Sequence, residues 1–187
     1  MMNHFDAGFS TDNSSAPGQE GFINNVLNEY FDAYLPRAVR VAAELRARGG
    51  AERLVYTTHG WLAHLYVHCP AGFLLSGIPL HCPSPTEVAA FKHAAQQGDI
   101  VWHAGAFNTE YELAFSAEMV AEQFRLSREL SDELGVPRSR VLSLRDVPGT
   151  TRALIPLLAR NNITALTVGV NNGSPDPGES TALSLSH

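Results

Sequence analysis

Residues 141–170 read V-L-S-L-R-D-V-P-G-T-T-R-A-L-I-P-L-L-A-R-N-N-I-T-A-L-T-V-G-V, and this stretch decides the fold. Val141 to Leu144 is a short apolar run of strand-favouring residues, and it ends on the polar pair Arg145-Asp146. A Pro148-Gly149 turn follows, then a helix over Thr151 to Arg160, then a second β-branched run from Ala165 to Val170. Strand, helix and strand in so short a span make a βαβ unit, in which the two strands run parallel.

The same alternation extends toward the N-terminus. Ser116 to Leu134 is a long helix with Val120, Phe124 and Leu134 turned inward, closed by Gly135. Ile100 to His103 is a short apolar strand. Before it, Ser84-Pro85-Thr86-Glu87 sets an N-cap serine, a proline at the first helical position and a glutamate at the third, starting a helix that ends near Gly98. Leu54 to Thr58 reads as a buried strand. Phe22, Ile23, Val26, Leu27, Tyr30, Phe31, Tyr34 and Leu35 recur as pairs every four residues, which stacks them on one helix face. Pro36 is expected to kink or restart that helix, which resumes over Ala38 to Arg48 and stops at Gly49-Gly50. Residues 10–21 are a polar loop, and the end of the chain after Val170 is rich in Pro, Gly and Ser. Strands alternating with longer helices define an α/β fold with a parallel sheet, either open or part of a barrel. One domain over residues 1–175 and a flexible tail over 176–187 are expected.

Composition narrows the function. A chain of 187 residues that is 44% apolar buries a core of its own. With 13 Lys+Arg against 19 Asp+Glu the formal charge is -6, which argues against nucleic-acid or anionic-membrane binding, since both need clustered cations. No apolar run approaches the ~20 residues that span a bilayer, and no signal-peptide pattern opens the chain, so the location is cytoplasmic by default. Cys69 and Cys82 cannot build a disulfide framework and suit a reduced compartment equally well. Three N-x-S/T sequons, at Asn13, Asn162 and Asn172, would permit secretion.

In parallel α/β folds functional side chains gather at the carboxyl ends of the strands, because helices cover the rest. The residues following the strands are His59, His103, Asp146 and Asn171. Near the N-terminus, His4 and Asp6 would point the same way in an extended segment, offering an imidazole and a carboxylate to one divalent ion. Asp146 stands between a strand and a Pro-Gly turn, suited to act as nucleophile, ligand or turn cap. His68-Cys69 and His81-Cys82 flank an apolar, irregular stretch unlike a zinc loop, and His64 and His93 are expected to be solvated. No P-loop, G-x-G-x-x-G or G-x-S-x-G is present.

Taken together these segments resemble the family 38 glycoside hydrolases, the α-mannosidases, and more closely a little-characterised branch of that superfamily opening on a T-H-L-D-I-G-F-type motif. The resemblance rests on His4-Phe5-Asp6-Ala7-Gly8-Phe9, Ala43-Glu44-Leu45, Leu54-Val55-Tyr56-Thr57-Thr58 with Trp61, Gly98-Asp99-Ile100-Val101-Trp102-His103-Ala104, Asp146-Val147-Pro148-Gly149-Thr150-Thr151-Arg152 and Val168-Gly169-Val170-Asn171. It runs, in order, through nearly all of residues 3–175. It implies an incomplete (β/α)7-barrel-like catalytic domain with one Zn²⁺ held by His4, Asp6 and Asp146, Asp146 acting also as the nucleophile of a retaining mechanism. His103, Asn108 and Glu110 fall in the segment that corresponds to a substrate-side loop and are the expected carbohydrate contacts. The family's fourth ligand, a downstream histidine, has no counterpart here. The expectation is therefore a fragment with weak or no activity alone, whose exposed half-barrel surface favours self-association. Two other readings stand beside it. A metal-dependent polysaccharide deacetylase would need an H-x-x-x-H pair, a spacing found only at His64 and His68. The third reading is a non-catalytic α/β module that binds carbohydrate or a partner.

Overall fold

A computed structural model describes residues 22–75, 78–108, 116–145 and 151–169. Helix α1 (Phe22–Glu29) continues through a π-helical turn (Tyr30–Tyr34) into α2 (Leu35–Ala47). Leu27, Phe31, Leu35, Ala38 and Ala42 are all buried, so a single apolar face runs the length of this segment. The disturbance expected at Pro36 takes the form of a π-helical turn, after which the α-helix restarts at Leu35. Pro36 has no N–H and its ring crowds the preceding turn, and the chain answers by widening that turn: the Leu35 N–H reaches back five residues to the Tyr30 carbonyl.

The remaining elements are β1 (Tyr56–Thr58), α3 (Gly60–Val67), β2 (Leu74–Leu75), β3 (Ile78–Pro79), α4 (Pro85–Gln96), β4 (Ile100–Trp102), α5 (Ala117–Leu134), β5 (Val141–Arg145), α6 (Leu154–Arg160) and β6 (Ala165–Gly169). The α4 start is the capping box its sequence predicts. The Glu87 N–H donates to the Ser84 hydroxyl at 3.3 Å, and the Ser84 N–H donates to the Glu87 carboxylate at 2.8 Å.

β1 pairs with β4 in parallel, Tyr56 opposite Ile100 and Thr58 opposite Trp102. β5 pairs with β6 in parallel from Val141 opposite Ala165 to Arg145 opposite Gly169. The Ala104 N–H donates to the Val141 carbonyl at 2.9 Å and links the end of β4 to the start of β5. The architecture is thus mixed α/β with short parallel strands, as expected. Among the described residues no closed barrel is formed. Side chains alternate across the strands. Ile100, Trp102, Leu142 and Leu144 are buried, while Thr57, Val101, Val141 and Thr167 line a groove.

Two apolar clusters fill the interior. One gathers Phe31, Leu62, Tyr66, Phe91, Ile100 and Trp102 beneath α1 to α4. The other packs Phe124, Leu142, Leu144, Leu154, Leu158 and Ile163 between β5, α5 and α6. Phe31, Tyr66 and Phe91 meet in sequence at ring-centroid distances of 5.1 and 4.9 Å.

The stretch between the cysteines is not irregular. It forms the antiparallel hairpin β2–β3, Leu74 opposite Pro79, extended by the Leu80 N–H donating to the Phe73 carbonyl at 2.9 Å. Cys69 and Cys82 are joined in a disulfide at its base, with Cα atoms 5.5 Å apart. The expectation that a reduced pair would serve equally well is corrected by this bond. No helix among the described residues is long and apolar enough to cross a membrane. The tail over 176–187 lies outside the described residues.

Candidate functional site at the strand ends

β1 and β4 are neighbours in register, so the residues that follow them emerge side by side. His59 follows β1 and is the N-cap residue of α3; His103 follows β4. Their rings lie 5.8 Å apart between centroids, at 54°. The strand-end rule therefore places two of its four residues together. The other two, Asp146 and Asn171, lie outside the described residues, as do His4, Asp6 and Glu110.

Helix α5 fixes the end of β4 from below. The Ser127 hydroxyl donates to the His103 carbonyl at 2.5 Å, and the Trp102 indole N–H donates to the Ser131 hydroxyl at 3.1 Å. Both serines are buried, so these bonds are made away from water, where an unpaired polar group is most costly. Burial also holds the His103 imidazole below its ordinary pKa. At neutral pH the ring is therefore largely uncharged, able to accept a proton at one nitrogen and donate from the other.

Asn108 occupies a different place from the one expected of a substrate contact. It is 7% exposed, and its side-chain amide is engaged with the backbone N–H and carbonyl of one residue. Nδ2 donates to the Arg145 carbonyl at 2.5 Å, and Oδ1 accepts from the Arg145 N–H at 2.9 Å. Arg145 is the last residue of β5, and Asp146 is next in the chain. The geometry thus makes Asn108 a clamp on the strand end that leads into Asp146. Asn108→Ala removes donor and acceptor together and is expected to cost about 1–3 kcal/mol, read as a lower urea midpoint with an unchanged slope. An unchanged midpoint would show that the clamp carries no load.

A cavity of about 570 Å³ runs along the two strand pairs, lined by Thr57, Val101, Val141 and Thr167, by Gln97 and Arg138 from the segments that precede β4 and β5, and by His103, the one residue following a strand that reaches it. That volume lies in the range of small-molecule sites. Among the described residues no group of three or more His, Cys, Asp or Glu is arranged to hold a metal ion. His64 and His68, one turn apart on α3, have rings 4.6 Å apart, and His68 Nε2 lies 2.8 Å from the Glu133 carboxylate on α5. Both rings are exposed, as is His93.

The role of Asn108 and the two buried serines was not anticipated. A small polar residue in an otherwise apolar helix face, as at Ser127 and Ser131, is the signal that could have marked the anchors. No family model, curated protein or solved structure matches this chain.

Proposed function

We propose that the chain is part of a zinc-dependent retaining glycoside hydrolase of the α-mannosidase type, built as a sector of a (β/α)7 barrel. The observation that carries the reading is the meeting of His59 and His103 at adjoining strand ends, with His103 also reaching the cavity of about 570 Å³ that runs along the strands. The linking of β1 to β4, of β4 to β5 through Ala104, and of β5 to β6 supports a barrel sector, because barrel strands are neighbours in chain order.

The proposed metal ligands are His4, Asp6 and Asp146, one imidazole and two carboxylates, donor types that Zn²⁺ accepts. Zinc bound there would hold sugar hydroxyls and act as a Lewis acid. The carboxylate of Asp146 is the nucleophile toward the anomeric carbon. Asn108 positions Asp146 through the Arg145 backbone. His103, neutral and partly buried at the cavity edge, and Glu110 contact the sugar. Exposed Ala165, Thr167 and Val168 on β6 offer the surface through which the chain would self-associate. The alternatives remain a deacetylase or a non-catalytic binding module. The H-x-x-x-H pair lies on the exposed surface of α3, with His68 against Glu133 of α5, and not at a strand end, which favours the glycosidase over the deacetylase.

Elemental analysis of the purified full chain tests the centre. About one zinc per chain is expected, lost in a His4→Ala/Asp6→Ala double variant. Hydrolysis of an aryl α-mannoside, weak in this chain, is expected to fall by about 100-fold or more in Asp146→Asn. A zinc-free protein would overturn the reading, and release of acetate from an acetylated sugar would replace it with the deacetylase.

A further inference from the structure

Helices α4, α5 and α6 each end on the same pair of backbone bonds on the way to the next strand. At α4 the N–H groups of Gly98 and Asp99 donate to Ala95 and Ala94. At α5 those of Gly135 and Val136 donate to Asp132 and Ser131. At α6 those of Asn162 and Ile163 donate to Ala159 and Leu158. The closing residue takes a positive φ in each case: +77° at Gly98, +65° at Gly135 and +59° at Asn162. Where the first two helices use glycine, the third uses asparagine, the side chain that enters this region with least penalty. Thus Asn162 opens the sequence Asn162-Ile163-Thr164, an N-x-T acceptor pattern.

The turn presents this pattern outward. Asn162 and Thr164 are exposed, while Ile163 is 5% exposed and packs into the cluster containing Leu158. Only the backbone carbonyl of Asn162 is engaged by a neighbouring side chain among the described residues, Arg140 Nε at 3.4 Å. A group carried on Asn162 Nδ2 would extend into solvent without disturbing the core. The Cys69–Cys82 disulfide is a second and independent observation, since such bonds form and persist in the oxidising compartments where N-linked sugars are also added.

We propose that Asn162 is the acceptor of an N-linked glycan, added in the oxidising compartment that joins Cys69 to Cys82. The sugar donor is a lipid-diphosphate-linked oligosaccharide. A bond forms between Asn162 Nδ2 and the anomeric carbon as the bond from that carbon to the diphosphate oxygen breaks. The amide loses one proton to a base of the transferring enzyme, and the lipid diphosphate leaves. For the disulfide, the two thiols give up two protons and two electrons to an oxidised dithiol carrier, which departs as the dithiol. Transfer precedes closure of the turn, because Ile163 must leave its pocket for the segment to lie extended in an enzyme. This proposal is independent of the glycosidase reading.

The test uses the full chain from its own cells, thiols blocked at lysis and digested without reductant. The expected results are a Cys69–Cys82 cross-linked peptide and a glycopeptide spanning Asn162. Glycosidase release in heavy-oxygen water should convert Asn162 to labelled aspartate. Thr164→Ala, an exposed substitution that keeps Asn162 in its turn, should abolish the glycan with no loss of folded protein. An unmodified Asn162 peptide overturns the proposal, as do blocked free thiols at Cys69 and Cys82 or sugar found at Asn13 or Asn172 alone.

Discussion

Replacing Arg46 with alanine is expected to lower the urea midpoint more than removal of any exposed ion pair, while replacing Arg46 and Asp99 together by apolar residues restores most of that loss. Asp99 is 4% exposed and sits where three elements join. Its N–H donates to the Ala94 carbonyl at the end of α4, and its carbonyl accepts from the Tyr56 N–H at 2.8 Å at the start of β1. Its carboxylate is held by Arg46 of α2, with Nε at 2.9 and 2.8 Å from the two oxygens and Nη2 at 2.6 Å. Nη2 also donates to the Gln97 carbonyl. Removing the cation leaves a buried carboxylate with no countercharge, which is far more costly than the pair is stabilising. The Arg46 side chain is 33% exposed, so water reaches the gap and tempers the loss. An Arg46→Met/Asp99→Leu variant removes both charges. Urea denaturation of the two single variants and the double gives the comparison. A double variant less stable than Arg46→Ala would show that the pair contributes net stability.

What was legible in the sequence follows from how much of each element faces water. α4 and α5 announce themselves through Ser84, Glu87 and Gly135, because caps and αL closures demand particular residue types. β4 and β5 were readable as short apolar runs. α3 was not, since Leu62, Ala63 and Tyr66 are buried and Trp61, Leu65 and Val67 partly so; a helix covered on most sides loses its period. The hairpin between the cysteines was missed for a related reason. Its ladder is only two pairs long, too short for an alternating pattern, and its shape is set by the disulfide and by contacts with α1. At the site, His59 and His103 were reachable from the strand-end rule alone. The use of Asn108 as a backbone clamp was not, because a buried amide bonded to a strand end and one facing a ligand have the same sequence signature. The proposed zinc ligands rest on the family resemblance and on donor chemistry, outside the described residues.

Cys69→Ala/Cys82→Ala is expected to lower stability by about 3 kcal/mol without abolishing the fold. The bond spans a sequence separation of 13, and closing a loop of that size removes about this much freedom from the unfolded chain. The folded state keeps other ties to the hairpin. Asn28 Nδ2 donates to the Pro79 carbonyl at 3.1 Å, its Oδ1 accepts from the His81 N–H at 2.8 Å, and His81 Nδ1 lies 2.8 Å from the Asp32 carboxylate. Asn28 is 6% exposed, so its two bonds are shielded from water, whereas the His81–Asp32 contact is exposed and contributes little. These contacts hold β3 against α1 when the covalent tie is gone, and the loss should therefore fall on the unfolded state. Adding Asn28→Ala to the double cysteine variant removes the buried polar anchor and should cost a further ~1–3 kcal/mol, with faster amide exchange at Phe73 and Leu80 while α5 and β5 keep their protection. Reductant should shift the wild-type midpoint to that of the cysteine variant. A midpoint indifferent to reductant would mean that the Asn28 contacts alone order the hairpin and that the disulfide adds no stability.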